Sequence, residues 1–285
     1  MKQQTFIFGE KDGVSLAADL FTPEKPAGRT VIYFHGGGLL YGSRRDLNES
    51  YINQFLSGGF NVLLADYRLA PETKLPEIYQ DASDIVLYFT ENASKWGLPG
   101  NDFALFGQSS GAFLSLLLAT DPALPSPFAV LSFYGYSSVS ADWLREENDY
   151  FNTLPKISES LKNAMIHPNA LTSGSVDTRY PLYVYARQSG NWLNLVFGDS
   201  PTETDLEPFK LDPERDFHFL PPVFLAHSFA DQDVPISESE LIKNGTLESE
   251  LFTVRDLPHD FDTKTADAEG RMAYDAAIRF LNRIY

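Results

Sequence analysis

A serine set between glycines, Gly107-Gln108-Ser109-Ser110-Gly111, is the part of this sequence best equipped for covalent chemistry. The spacing Gly-x-Ser-x-Gly puts the serine on a sharp turn, where small flanking residues let the backbone fold back on itself. The apolar run FALF precedes the motif and the apolar stretch AFLSLLLA follows it. Strand, turn and helix thus succeed one another without a linker, the setting in which such a serine serves as a nucleophile. A serine hydroxyl attacks a carbonyl only when a base takes its proton. In elbows of this kind the partners follow in the order serine, acid, histidine. Four of the five histidines, His35, His167, His218 and His227, precede the expected acid, and only His259 lies beyond it. His259 sits in LPHDFD, just after the last expected strand, and is the expected base.

The acid must accept a hydrogen bond from the imidazole, fixing its tautomer and stabilising the imidazolium that forms. The stretch AHSFADQDVP, at the end of the second-to-last strand, offers Asp231 and Asp233. Asp231 comes first after the strand and matches the D-x-x-V-P spacing common in elbow folds, so it is preferred. Asp233 stays as the alternative, and whichever is not the acid is expected to be a turn or cap residue. The oxyanion that develops on the attacked carbon needs preorganised backbone donors. His35-Gly36-Gly37-Gly38 leaves an early strand, and its glycines let amides approach a substrate closely. Gly37, Gly38 and the N–H of Ser110 are the expected oxyanion hole, and His35 is expected to hold the loop.

These residues need a sheet to carry them. Segments 14–21, 30–38, 61–69, 127–136, 221–229 and 250–258 read as strands, the first of them an early edge strand, and 102–119 holds a further strand, the turn and an apolar helix. Between them, Leu47, Tyr51, Phe55 and Leu56 recur at helical spacing, and Pro76 opens a helix with Ile78, Ala82, Ile85, Val86 and Phe89 on one face. The C-terminal helix buries Ala273, Ala277, Phe280 and Ile284. Alternating strands and helices predict an α/β fold with a mostly parallel central sheet covered on both faces. Residues 137–220 break that rhythm with Tyr, Trp, Asn and Pro, and carry weak helical signals around 155–165 and 179–195. A structureless loop of that length inside a compact domain is implausible, so the segment is expected to be an inserted cap. The core is then 1–136 with 221–285, and Tyr180, Tyr183, Tyr185 and Trp192 are candidates to line an acyl or alcohol pocket.

Composition narrows the function classes. The 285 residues are 43% hydrophobic and 21% charged, close to globular averages. There is no cysteine, which removes disulfides, thiolate metal sites and a cysteine nucleophile together. A formal charge of −17 argues against nucleic acid and anionic membranes as partners. No signal-peptide core or membrane span is read, and a cytoplasmic location is expected. No metal or organic cofactor is implied. Oligomeric state is left open, with a homodimer among the options.

HGGG, then Asp66-Tyr67-Arg68-Leu69-Ala70-Pro71-Glu72, then Gly-x-Ser-x-Gly resembles the hormone-sensitive-lipase-like branch of the α/β-hydrolases, which comprises acetyl esterases and short-chain carboxylesterases. The resemblance covers about residues 30–112 and resumes at 222. It implies the α/β-hydrolase fold, makes the DYRLAPE stretch a scaffold motif, and makes Asp66 and Arg68 a structural pair. Where that branch reads GDSAGG, this chain has Gln108, Ser110 and Ala112 in place of Asp, Ala and Gly, so the network behind the serine must differ. HGGG also begins too early for N-terminal cap helices.

The expected function is hydrolysis of short-chain carboxylic esters through an acyl-enzyme on Ser109. An amide hydrolase of the arylformamidase or small-peptidase type is the enzymatic alternative. A non-catalytic binder on a hydrolase scaffold is the alternative from another class.

Overall fold

The computed structural model describes residues 1–263 and 268–285. The strands are β1 (Lys2–Lys11), β2 (Val14–Thr22), β3 (Arg29–Phe34), β4 (Asn61–Ala65), β5 (Asp102–Gln108), β6 (Ala129–Phe133), β7 (Val223–Ser228) and β8 (Ser249–Val254). They form one sheet in the order β1-β2-β4-β3-β5-β6-β7-β8. Pairing is antiparallel at β1/β2 and β2/β4 and parallel from β4 through β8. The chain is thus an α/β protein with a mostly parallel sheet, as the alternating pattern predicts.

The edge position differs from expectation. Segment 14–21 lies inside the sheet, because β1 pairs outside it through a hairpin at Asp12-Gly13. Both turn residues have positive φ, 50° and 78°, which suits an Asp-Gly pair and the twist of a two-residue hairpin. β1 is mostly exposed, so it lacks the apolar run that reveals the inner strands.

The helices of the core are α1 (Glu49–Ser57), α2 (Leu75–Asn92) and α3 (Ser110–Thr120), joined near the C-terminus by two more described below. Successive residues of a strand point to opposite faces, so the inner strands, apolar throughout, feed two cores. Val31, Tyr33, Val62, Leu64 and Phe106 face one way, with α1 and the C-terminal helix. Ile32, Phe34, Leu63 and Leu105 face the other, with α2 and α3. Every residue of α3 from Ser110 to Ala119 is buried, which is why its sequence carries no polar face.

Residues 137–220 hold six α-helices, α4 (Asp142–Arg145), α5 (Asp149–Asn152), α6 (Glu159–Ala164), α7 (Val176–Ser189), α8 (Trp192–Phe197) and α9 (Glu203–Leu206), and two single-turn 3-10 helices, Glu207–Phe209 and Phe217–Phe219. The two expected helical regions correspond to α6, α7 and α8. The chain then returns to the sheet through β7, α10 (Ser237–Gly245), β8 and α11 (Ala268–Ile284). Among the described residues no helix is long and apolar enough to cross a membrane.

The DYRLAPE stretch leaves β4 and ties distant parts of the chain together. Asp66 accepts from Arg44 at 2.6 Å, and Arg68 is held by Asp81 at 2.7 Å and by Asp12. Asp66 and Arg68 are therefore structural but not a pair with each other: each takes a partner distant in sequence. Tyr67 stacks on His35, with ring centroids 4.2 Å apart. Glu72 receives Arg179 of α7 at 2.8 Å in a buried ion pair, which docks the 137–220 segment against the core.

Candidate active site

β5 delivers Ser109 to a turn and α3 leaves it, with the serine at φ 54° and ψ −120°. A non-glycine residue at positive φ costs of order 1–3 kcal/mol and persists where the surroundings over-determine it. Here they do: Ser109 N–H donates to Phe133 O at 2.8 Å, and Ala112 and Phe113 N–H donate to Ser109 O. The glycines are demanded by close approach. A Cβ on Gly107 would lie 2.0 Å from Gly111 C, and one on Gly111 would lie 2.1 Å from Phe34 O.

His259 comes from the loop after β8, and its Nε2 lies 2.9 Å from Ser109 Oγ. Its Nδ1 lies 2.7 Å from Asp231 Oδ2, on the loop after β7. The three side chains expected from sequence are thus brought into one relay. With Nδ1–H donating to the carboxylate, Nε2 is left as an acceptor facing the serine hydroxyl, the tautomer a general base requires.

Asp231 and Asp233 have different tasks. Asp231 Oδ1 accepts the N–H groups of Asp233 and Val234 at 2.8 and 2.9 Å, so one carboxylate both orients His259 and caps its own turn. Asp233 is not merely a turn residue. It accepts from Arg187 Nε at 2.9 Å and from Tyr183 O–H at 2.7 Å, both on α7. Arg187 is fully buried, against the rings of Trp143 and Phe151.

A residue missed in sequence holds Asp231 from behind. His227 is wholly buried on β7, with Nε2 3.1 Å from Asp231 Oδ2 and Nδ1 2.7 Å from Ser239 Oγ. Its position before the acid had excluded it as the base, and nothing local pointed to a supporting role. Burial works against an ionised Asp231, but the two histidines outweigh it and hold the carboxyl well below its usual range. For His259, burial disfavours the charged ring, yet Asp231, with Asp233 and Asp260 further off, raises its pKa to about 9.

The HGGG loop lies beside the elbow. Leu39 N–H donates to Ser110 Oγ at 3.2 Å, tying loop to helix. His35 is buried, and burial lowers its pKa to about 4, so the ring is neutral. Its Nδ1 lies 2.8 Å from Gly36 O, and Leu40 and Tyr41 N–H donate to Gly37 O. A trans peptide points its C=O and the following N–H in opposite directions. With the Gly36 and Gly37 carbonyls anchored in the loop, the N–H groups of Gly37 and Gly38 point away from those anchors. Ser110 is the first residue of α3, where the N–H has no intrahelical acceptor. His35 thus has the loop-holding place expected of it.

A cavity of about 770 Å3 opens over these groups, lined by Ser109, His259, Gly38, Tyr41, Tyr134 and Tyr183 among others. Of the four aromatic candidates only Tyr183 lines it. Its ring covers Gly38, where a Cβ would lie 2.3 Å from Tyr183 Cε2. Trp192 is core and donates from Nε1 to Gly38 O at 2.8 Å, while Tyr180 packs edge-on against Tyr41 and Tyr185 carries Lys162. Tyr134, missed in sequence, stands edge-on to His259 with centroids 4.6 Å apart. Among the described residues no three His, Asp or Glu side chains are grouped to hold a metal ion.

A serine on a sharp turn between a parallel strand and a helix, followed by an aspartate and a histidine on later loops of the same sheet, is the arrangement of the α/β-hydrolase fold. Comparison with known proteins agrees. The BD-FAE family model matches residues 18–128. A Staphylococcus aureus protein with unknown function is 31% identical over 100% of this chain and 99% of its own, with a TM-score of 0.85. An alpha/beta hydrolase superfamily protein from Enterococcus faecalis is 28% identical, covering 94% and 96% of the two chains, with a TM-score of 0.81. The chain has the α/β-hydrolase fold. Among curated relatives, a non-reducing polyketide synthase from Penicillium brasilianum is 27% identical over 91% of this chain, but the chain spans only 13% of that protein's length.

Proposed function

We propose that the protein is a serine hydrolase of short-chain carboxylic esters. The observation that carries this is the relay Ser109–His259–Asp231, with contacts of 2.9 and 2.7 Å beside glycine amides. Ser109 Oγ attacks the ester carbonyl as His259 Nε2 takes its proton, and Asp231 stabilises the imidazolium. The tetrahedral oxyanion rests on the N–H groups of Gly37, Gly38 and Ser110, worth several kcal/mol in the transition state. His259 then gives its proton to the departing alcohol. Water, deprotonated by the same histidine, attacks the acyl-Ser109 ester and releases the acid.

Segment 137–220 acts as the cap in this reading. Arg179, Tyr183, Arg187 and Trp192 fasten it to Glu72, Asp233 and Gly38 around the mouth of the site. The Tyr183 ring over Gly38 limits the space beside the oxyanion hole, which favours small acyl groups.

Hydrolysis of p-nitrophenyl esters from acetate to decanoate, beside N-formylkynurenine, tests the proposal. Turnover that falls with acyl length, and exceeds turnover of the formamide, is expected. Preference for the formamide would make the protein an amide hydrolase, and no turnover of either would leave a binding protein.

A further inference from the structure

Behind the serine lies a buried carboxylate that the reaction as written does not use. Asp262 is 0% exposed, three residues beyond His259 on the same loop. Its Oδ1 accepts from Tyr134 O–H at 2.7 Å. Its Oδ2 accepts from Gln108 Nε2 at 2.6 Å and from Tyr274 O–H at 2.7 Å. Its backbone carbonyl accepts from Tyr51 O–H at 2.7 Å. No cation is among these partners. An acidic side chain so placed is expensive unless its acceptor sites are filled, and here three neutral donors fill them.

The partners are the informative part. Gln108 immediately precedes the nucleophile, and its Oε1 accepts from Tyr33 O–H of β3, so its amide is oriented and cannot turn freely. Tyr134 stands edge-on to the His259 ring and, like Ser109, has a strained positive φ, here 42°. One carboxylate therefore grips the residue beside the nucleophile and the residue beside the base. Ser109 and His259 are about 150 residues apart in sequence, and among the described residues Asp262 links the elbow to the histidine loop through side chains on both sides. At position 108 an amide donor thus precedes the serine, and Asp262 supplies its acceptor from the histidine loop.

We infer that Asp262 is a positioning residue that holds Ser109 and His259 in register by gripping Gln108 and Tyr134. The inference rests on the serine-hydrolase reading above. A displacement of the reacting groups by about 1 Å can lower the rate of such chemistry by about 100-fold, whereas ground-state substrate binding is little affected.

The test is a reciprocal exchange: Asp262→Asn, Gln108→Glu and the double variant, assayed with p-nitrophenyl acetate and with a fluorophosphonate that labels Ser109. In the first single variant an amide faces an amide, in the second a carboxylate faces a carboxylate, and the double restores one of each. Each single variant is expected to lose about 10- to 100-fold in kcat and in labelling rate, with KM within about 2-fold of wild type. The double is expected to exceed both singles. Melting temperatures, recorded alongside, separate misplacement from unfolding. If a single variant does not fold, Tyr134→Phe removes one hydrogen bond and is expected to lower kcat while leaving KM unchanged. Unchanged kcat in folded Asp262→Asn or Tyr134→Phe would overturn the inference, as would a folded double variant no better than its singles. A wild type that neither turns over esters nor is labelled would instead overturn the serine-hydrolase reading, and this inference with it.

Discussion

Asp231 Oδ2 meets His259 Nδ1 at 2.7 Å, while the carboxylate of Asp233, two residues on, is turned to Arg187 and Tyr183. The two aspartates are equivalent in chemistry and nearly so in position, so their difference lies in where the turn after β7 aims them. Asp231→Asn should leave the fold intact and lower kcat by about four orders of magnitude, because an amide holds the wrong histidine tautomer. Asp233→Asn should keep kcat within about tenfold. Steady-state kinetics on both variants with p-nitrophenyl acetate checks this, and a reversed ranking would reassign the acid.

Loss of Asp233 should appear in stability instead. Arg187 is fully buried, and removing its partner leaves an uncompensated charge. Asp233→Ala is expected to destabilise the protein by about 3–5 kcal/mol. Denaturant unfolding of wild type and variant measures the difference, and a loss below about 1 kcal/mol would mean that Arg187 finds another partner.

Tyr183, on the 137–220 segment, lays its ring against Gly38. Tyr183→Ala should open the cavity beside Gly38 and move the preferred acyl group toward longer chains, measured as the ratio of kcat/KM on hexanoate and acetate esters. Tyr183→Phe keeps the ring and should keep the wild-type ratio.

The pH profile follows from His259. The base works only when neutral, and its pKa is raised to about 9 by neighbouring carboxylates against the effect of burial. Activity should therefore fall as pH drops through an acidic limb that lies above the ordinary histidine value of about 6.5. Asp260 is exposed and contributes to the rise, so Asp260→Asn should move the limb of kcat/KM to lower pH by a few tenths of a unit. A limb at or below 6.5 in wild type would contradict this electrostatic picture.

Local pattern was enough for the parts whose signal is local. The elbow lies between an apolar strand and an apolar helix, and the HGGG loop follows β3, so both could be placed before any contact was known. The inner strands were legible because a sheet covered on both faces is apolar throughout. β1 was not, since an exposed strand has no such run; only Asp12-Gly13 between two extended stretches signalled the hairpin. Partner choice across the fold was the other gap. Asp66 and Arg68 stand two apart, yet one reaches Arg44 and the other Asp81 and Asp12. His227, Tyr134 and Asp262 escaped notice for the same reason: their roles are set by tertiary contacts that periodicity does not encode. In segment 137–220 five of the six α-helices have four to six residues, too short for a face to repeat, and α7 buries Arg179, Arg187 and Gln188 among its apolar residues, which breaks up an apolar stripe.

The most direct measurement is mass spectrometry of the protein mixed rapidly with p-nitrophenyl acetate, for wild type beside Ser109→Ala. An acyl-enzyme is predicted: a transient acetyl adduct on the peptide containing Ser109, formed with a burst of nitrophenol, and absent from the variant. Ester turnover that persists in Ser109→Ala, or an adduct on another residue, would contradict the assignment of Ser109 as nucleophile.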